Sequence, residues 1–149
     1  MKWLTRRQIR VNRTATAWLI RRFIDTDATF QFVAPDQVAP IQEREGATGF
    51  DAPGARYPHQ DTQGRCSFEA LVDEFCRDDP VLKMMAKIVR SADFPEELSL
   101  SPEAAGLQCI SHGFPLVSKD DFETLERAAF LYDAMYAALH ARLAERSFE

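Results

Sequence analysis

The sequence contains no GxSxG elbow, no P-loop, no GxGxxG turn and no HExxH pair. Those absences argue against nucleotide hydrolysis, dinucleotide redox chemistry and the commonest hydrolase mechanisms, each of which needs its own fixed spacing. Cysteine is scarce. Cys66, Cys76 and Cys109 make an odd number with no CxxC spacing, which excludes a disulfide framework and a structural zinc knot and points to a reducing compartment. The basic N-terminus MKWLTRRQIRVNR lacks the apolar run of a signal peptide. No segment approaches the roughly 20 apolar residues needed to span a bilayer, so a cytoplasmic location is expected. The formal net charge of −5 excludes broad electrostatic attraction to nucleic acid or anionic membrane, and neither is expected as a partner. Repeats, low-complexity tracts and Gly/Ser-rich linkers are also missing.

What is present suits one packed domain over residues 1–149. Apolar residues make up 46% of the chain and include eleven phenylalanines, enough for a single hydrophobic core. A short strand is expected through Trp3 and Leu4, then a helix from about Thr14 to Asp25. The alternating run Thr29-Phe30-Gln31-Phe32-Val33 reads as a strand. Pro35-Asp36 opens a short helix ending at Gly46, and the Gly- and Pro-rich stretch from Phe50 to Gln63 reads as loop. Further on, Ser67 caps a helix through Cys76 that buries Phe68, Leu71, Val72 and Phe75. Asp79-Pro80 starts a helix through Val89, and Ser101-Pro102-Glu103 repeats the signal, with Gly113 as its stop. Ser118 and Asp121 resemble a capping box for a last helix to about Ala144, with Phe122, Leu125, Ala129, Tyr132, Met135, Leu139 and Leu143 buried. The expected class is α+β, predominantly helical, with five to six helices and a small N-terminal sheet.

Three groups of residues could carry chemistry. On a regular helix over Asn12–Asp25, Ala15, Thr16, Ala17, Leu19, Ile20, Phe23 and Ile24 share a wide buried arc. Thr14, Trp18, Arg21, Arg22 and Asp25 then form a narrow polar strip. Either guanidinium could stack on the Trp18 indole, and the strip could bind an oxyanion or bridge to internal carboxylates. The second group is His59 with Cys66, Glu69 and Asp73. Imidazole plus carboxylate suits a divalent metal such as Mn, Fe or Zn. Alternatively, Cys66 beside a histidine could be a reactive thiol, and Glu69 and Asp73 could simply form a solvated helix face. The third is a helix end that delivers Arg90 and Asp93 together. His112 and His140 lack ligand-spaced neighbours and read as structural or surface groups.

Taken together, several stretches resemble the C-terminal domain of the ChrB chromate-resistance family. They are Lys2-Trp3-Leu4-Thr5-Arg6, Asn12-Arg13 with Ala15, Trp18-Leu19-Ile20-Arg21-Arg22-Phe23-Ile24-Asp25, Phe50-Asp51, His59 and Cys66-Ser67-Phe68-Glu69. Ile88-Val89-Arg90 with Ala92-Asp93, Pro102-Glu103-Ala104-Ala105-Gly106-Leu107, and Tyr132-Asp133-Ala134 with Tyr136 complete the set. Domains similar to this follow a regulatory half or a rhodanese-like domain. The resemblance implies a link to chromate or oxidative metal stress with a bound divalent metal, and no settled reaction. Two positions depart from the pattern: Asn12 stands where the family often has Asp, and Thr16-Ala17 where it has Cys-Pro. The first weakens a metal role at the helix start, and the second removes thiol redox chemistry there. The length leaves no room for a DNA-binding half, so a homodimer or a separate regulatory protein is the expected macromolecular partner.

Three functions follow as expectations. One is an accessory or sensing domain that binds a divalent metal or a small oxyanion, with His59, Glu69 and Asp93 as metal ligands and Trp18, Arg21, Arg22 and Arg90 around the anion. The second is a metal-dependent enzyme, with Mn or Fe held by His59, Glu69 and Asp93 and one coordination position open. The third is a protein that keeps only the fold.

Overall fold

A computed structural model describes residues 1–146. The chain opens with β1 (Lys2–Arg6), whose Trp3 and Leu4 project to opposite faces as successive strand residues must. Each begins a different core. Trp3 joins the main helical core, whereas Leu4 packs with Val38, Ile41, Ala47, Ala52 and Ala55 in a smaller one. β2 (Thr29–Val33) and β3 (Thr48–Gly49) flank β1 in a parallel sheet of order β2-β1-β3. The register pairs Trp3 with Phe30 and Leu4 with Gly49. Parallel neighbours need crossovers. α1 (Val11–Leu19) supplies the first and α2 (Val38–Glu45) the second. α2 ends at Gly46, whose φ of 65° is the left-handed conformation that glycine adopts without strain.

After a loop over residues 50–66 the chain is mainly helical: α3 (Ser67–Phe75), α4 (Pro80–Asp93), α5 (Ala104–Val117) and α6 (Asp121–Arg146). The expected class, α+β and mainly helical with a small N-terminal sheet, describes the observed architecture. No helix among the described residues is long and apolar enough to cross a membrane.

α1 lies at the centre, packed by α3, α4, α5 and α6, and all its residues except Arg13 are buried. The expected polar strip therefore does not form along it. Thr14 is buried and its hydroxyl lies 2.6 Å from the Tyr132 hydroxyl, which is itself 3.1 Å from the Val11 carbonyl. Trp18 is buried against Phe23, Tyr132 and Tyr136, with its indole N–H donated to Asp133 at 2.9 Å. After Leu19 the helix widens into a π-helix over Ile20–Ile24, closed by the Asp25 amide on the Ile20 carbonyl. The wider turn shifts the phase of later residues. Phe23 and Ile24, expected inside, thus come partly out of the core.

Other boundaries differ for local reasons. Cys66, not Ser67, occupies the cap of α3, because Ser67 is buried with its hydroxyl on the Asn12 side chain at 3.2 Å. Asp79 caps α4 through the Val81 and Leu82 amides as expected, but the helix runs on to Asp93. α5 continues through Gly113 to Val117, since Gly113 keeps helical rather than left-handed backbone. At the start of α6 the Asp120 carboxylate takes the Glu123 amide, while Asp121 reaches back to the Gln8 and Ile9 amides at 3.0 and 2.9 Å. Phe75 and Phe122, expected to be buried, are exposed.

Tyr132 fastens α6 to the first turn of α1. Tyr132→Phe should cost about 1–3 kcal/mol, the usual penalty for breaking a buried hydrogen-bonded pair. In urea denaturation the midpoint should fall with the slope unchanged; an unaltered midpoint would refute this role.

Candidate functional site

Parallel sheets gather loops, and so sites, at the carboxyl ends of their strands. Here that end brings Arg6, the last residue of β1, beside Asp51, which follows β3. Asp51 has a left-handed φ of 49° and its carboxylate is almost wholly buried. Arg6 donates to the Asp51 carbonyl at 2.7 Å and approaches its carboxylate at 3.4 Å. Arg13, from α1, reaches the other carboxylate oxygen at 3.2 Å.

His59, in the loop before α3, sits over the same carboxylate. Its Nδ1 is 2.8 Å from Asp51 and 3.3 Å from Asp93, the last residue of α4. Its ring stands edge-on to Phe94, with centroids 5.1 Å apart. Only the Asp51 contact has hydrogen-bond geometry, so Asp93 Oδ2 is buried without a hydrogen-bond partner among the described residues. One ligand atom from each of Asp51, His59 and Asp93 lies within 4.8 Å of the other two. The hydrogen bond to Asp51 holds the His59 pKa above its ordinary 6.5, and burial pushes Asp93 up to about 6.

The sequence singled out His59 and Asp93, and the fold brings them together. Glu69 is not with them. Its carboxylate accepts the Cys66 amide at 3.1 Å and pairs with Arg90 at 2.9 Å, closing the cap of α3. Arg90 also holds Glu97 at 3.0 Å and the Gly64 carbonyl at 2.8 Å, and lies over the Phe94 ring. Cys66 is fully buried, and burial pushes its thiol up, away from the thiolate that a nucleophile requires. Asp73 pairs with Arg65 at 3.2 Å.

Trp18, Arg21 and Arg22 do not converge with Arg90 or His59. Arg21 bridges to Glu126 at 2.7 Å and lies over Phe30 rather than Trp18. Arg22 is 3.4 Å from Asp133. Asp25 takes the Trp3 indole N–H at 2.9 Å and the chain's amino terminus at 3.0 Å. These groups tie α1 and its π-helical extension to α6 and β1, the internal bridging that the sequence left open. Arg6 and Arg13 reach the cluster, and with Arg10, Asn12, Asp51, Asp93 and His112 they line a cavity of about 270 Å3. In the sequence Arg6, Arg13 and Asp51 appear only within stretches that resemble the family, and Arg10 is not among them. The register of β1 with β3 is the signal that places them together.

In protein freed of divalent metal, both pKa shifts act in the same direction. His59 binds its proton more tightly folded than unfolded, so its contribution is complete below pH 6.5 and disappears as pH rises through the folded pKa. Asp93 keeps its proton to about pH 6 in the fold, whereas the unfolded chain releases it near 3.8, so stability falls across that interval. The denaturation midpoint should therefore drop between pH 5 and pH 8, and Asp93→Asn should flatten the drop. Equal slopes for parent and variant would refute the assignment.

Residues 3–139 match the family described as "ChrB, C-terminal domain". Protein ChrB of Cupriavidus metallidurans is 33% identical over 138 residues, which cover 91% of this chain and 40% of the relative. The chain thus spans two fifths of the length of that curated relative. No solved structure matches it. By the extent of the matched residues, the chain belongs to the ChrB C-terminal domain family.

Proposed function

We propose that this domain binds one divalent cation through Asp51, His59 and Asp93, as an accessory or sensing module in resistance to chromate or related metal stress. The observation that carries the reading is Asp93 Oδ2, a buried carboxylate oxygen with no hydrogen-bond partner among the described residues, facing an imidazole and a second carboxylate. A buried acceptor of that kind is costly unless something coordinates it. The mixed imidazole–carboxylate donor set suits Mn, Fe or Zn. Arg6 and Arg13 keep the Asp51 carboxylate oriented, and Phe94 fixes the His59 ring. The stress-related role rests on family membership and on the stretches that resemble chromate-resistance domains. The open cavity lined by Asp51 and Asp93 also suits a metal-dependent enzyme, where a substrate would occupy the open side. When bound, the ion would supply a Lewis acid there.

Calorimetric titration of metal-free protein with Mn2+, Fe2+ and Zn2+ tests the reading. The parent should take up one equivalent of at least one ion. Asp93→Asn and His59→Ala should each weaken binding by at least the roughly 10–100-fold that even outer-shell changes produce. Glu69→Gln should bind like the parent. If the parent takes up none of the three ions, the proposal fails.

A further inference from the structure

The cavity lined by the Asp51 and Asp93 carboxylates has a second wall of opposite character. Arg6, Arg10 and Arg13 reach it from the end of β1, the following loop and α1, and His112 from α5. Three guanidinium groups face two carboxylates, Asp51 and Asp93, so the surroundings are net positive before any ion binds. The side chains of Arg10 and His112 make no hydrogen bond or ion pair with the other described residues.

Asn12 stands on the same wall and is only 1% exposed. Its Oδ1 accepts the hydroxyls of Thr16 at 2.9 Å and Ser67 at 3.2 Å, which fixes the amide. Its Nδ2 is then buried with no acceptor among the described residues. Arg13 donates from both terminal nitrogens, to Asp51 and to the Gln8 carbonyl, yet its Nε is likewise buried and unmatched. Native interiors seldom leave donors in this state unless a water, ion or ligand meets them. A volume of about 270 Å3 has room for roughly nine waters at ~30 Å3 each, or for a small polyatomic anion.

We propose that this wall binds a small oxyanion, either a tetrahedral inorganic anion or the carboxylate of a ligand, with Asn12 Nδ2 and the three arginines as its donors. Two unmatched donors on a cation-rich wall are what an anion's oxygens complete. The proposal extends the metal reading of the same cavity and rests on it for one feature only. A divalent ion on Asp51, His59 and Asp93 would raise the net positive charge and tighten the anion, and by reciprocity the anion would tighten the metal.

The test is thermal unfolding and calorimetry of the whole chain with sodium sulfate or sodium acetate, against sodium chloride at matched ionic strength, with and without Mn2+. Sulfate or acetate should raise the melting temperature above the chloride control by mass action on the folded state, and the stronger of the two identifies the class of anion. Arg10→Gln changes an exposed, unpaired rim side chain and should leave the fold intact. It should weaken the bound anion roughly tenfold, the scale of one charge-assisted hydrogen bond. Asn12→Asp replaces the donor with a like charge and should abolish anion binding. If neither salt exceeds chloride with or without Mn2+, or if both variants bind as the parent does, the proposal is overturned. Sulfate binding in a protein that takes up no metal would refute the metal reading and leave this one standing. Metal uptake without anion binding would do the reverse.

Discussion

A carboxylate removed from water has to be matched by positive charge nearby, and the buried Asp51 imposes that requirement on the N-terminal half of this fold. Arg6 answers it from the sheet, Arg13 from the central helix and His59 from the long loop. The sheet, the central helix and the loop share the main core through Trp3, Ala15 and Tyr57, and Asp51 joins their polar groups at the rim. Through His59 the arrangement extends to Asp93 and the end of α4, so the carboxyl edge of the sheet and the far end of a helix meet at one point. The left-handed backbone at Asp51 is the local strain that lets a residue just past β3 turn its side chain back toward the sheet.

The remainder of the architecture supports that point from below. The central helix α1 is surrounded, and Thr14 and Trp18 on it are held by α6 through Tyr132 and Asp133, while Asn12 is held by Ser67 of α3. Polar contacts inside an apolar shell fix register more tightly than hydrophobic packing alone, because an unmatched hydroxyl or indole N–H has no alternative partner there. The cavity wall at Asn12 is anchored in the same way, to Thr16 and Ser67.

Much of this was legible beforehand, and the failures share a cause. The alternating run of β2 and the Asp79-Pro80 cap of α4 are encoded within a few residues, and both occur as read. The polar strip of Trp18, Arg21 and Arg22 failed because a helical wheel assumes one solvent-facing side and a constant period. α1 has no such side, and the π-helix breaks the period. Within the site, His59 and Asp93 were visible as residue types, but Glu69 was grouped with them by proximity in sequence. Its actual partners are the Cys66 amide, through helix capping, and Arg90, through the packing of α3 on α4, a contact 21 residues away in the chain. Asp51, Arg6 and Arg13 meet through a parallel register between strands more than forty residues apart, which no local pattern reveals.

The π-helix at Ile20–Ile24 has a consequence for how this chain can vary in length. Deleting a residue within a regular, fully packed helix would rotate everything beyond it by about 100° and empty part of the core. A turn that already carries one residue more than an α-helical turn can lose it and close as an ordinary turn. Sequences one residue shorter here could keep α1, the sheet and the Asp51 cluster unchanged. What they would alter is the side that Phe23 and Ile24 present, and with it the surface between this helix and α6.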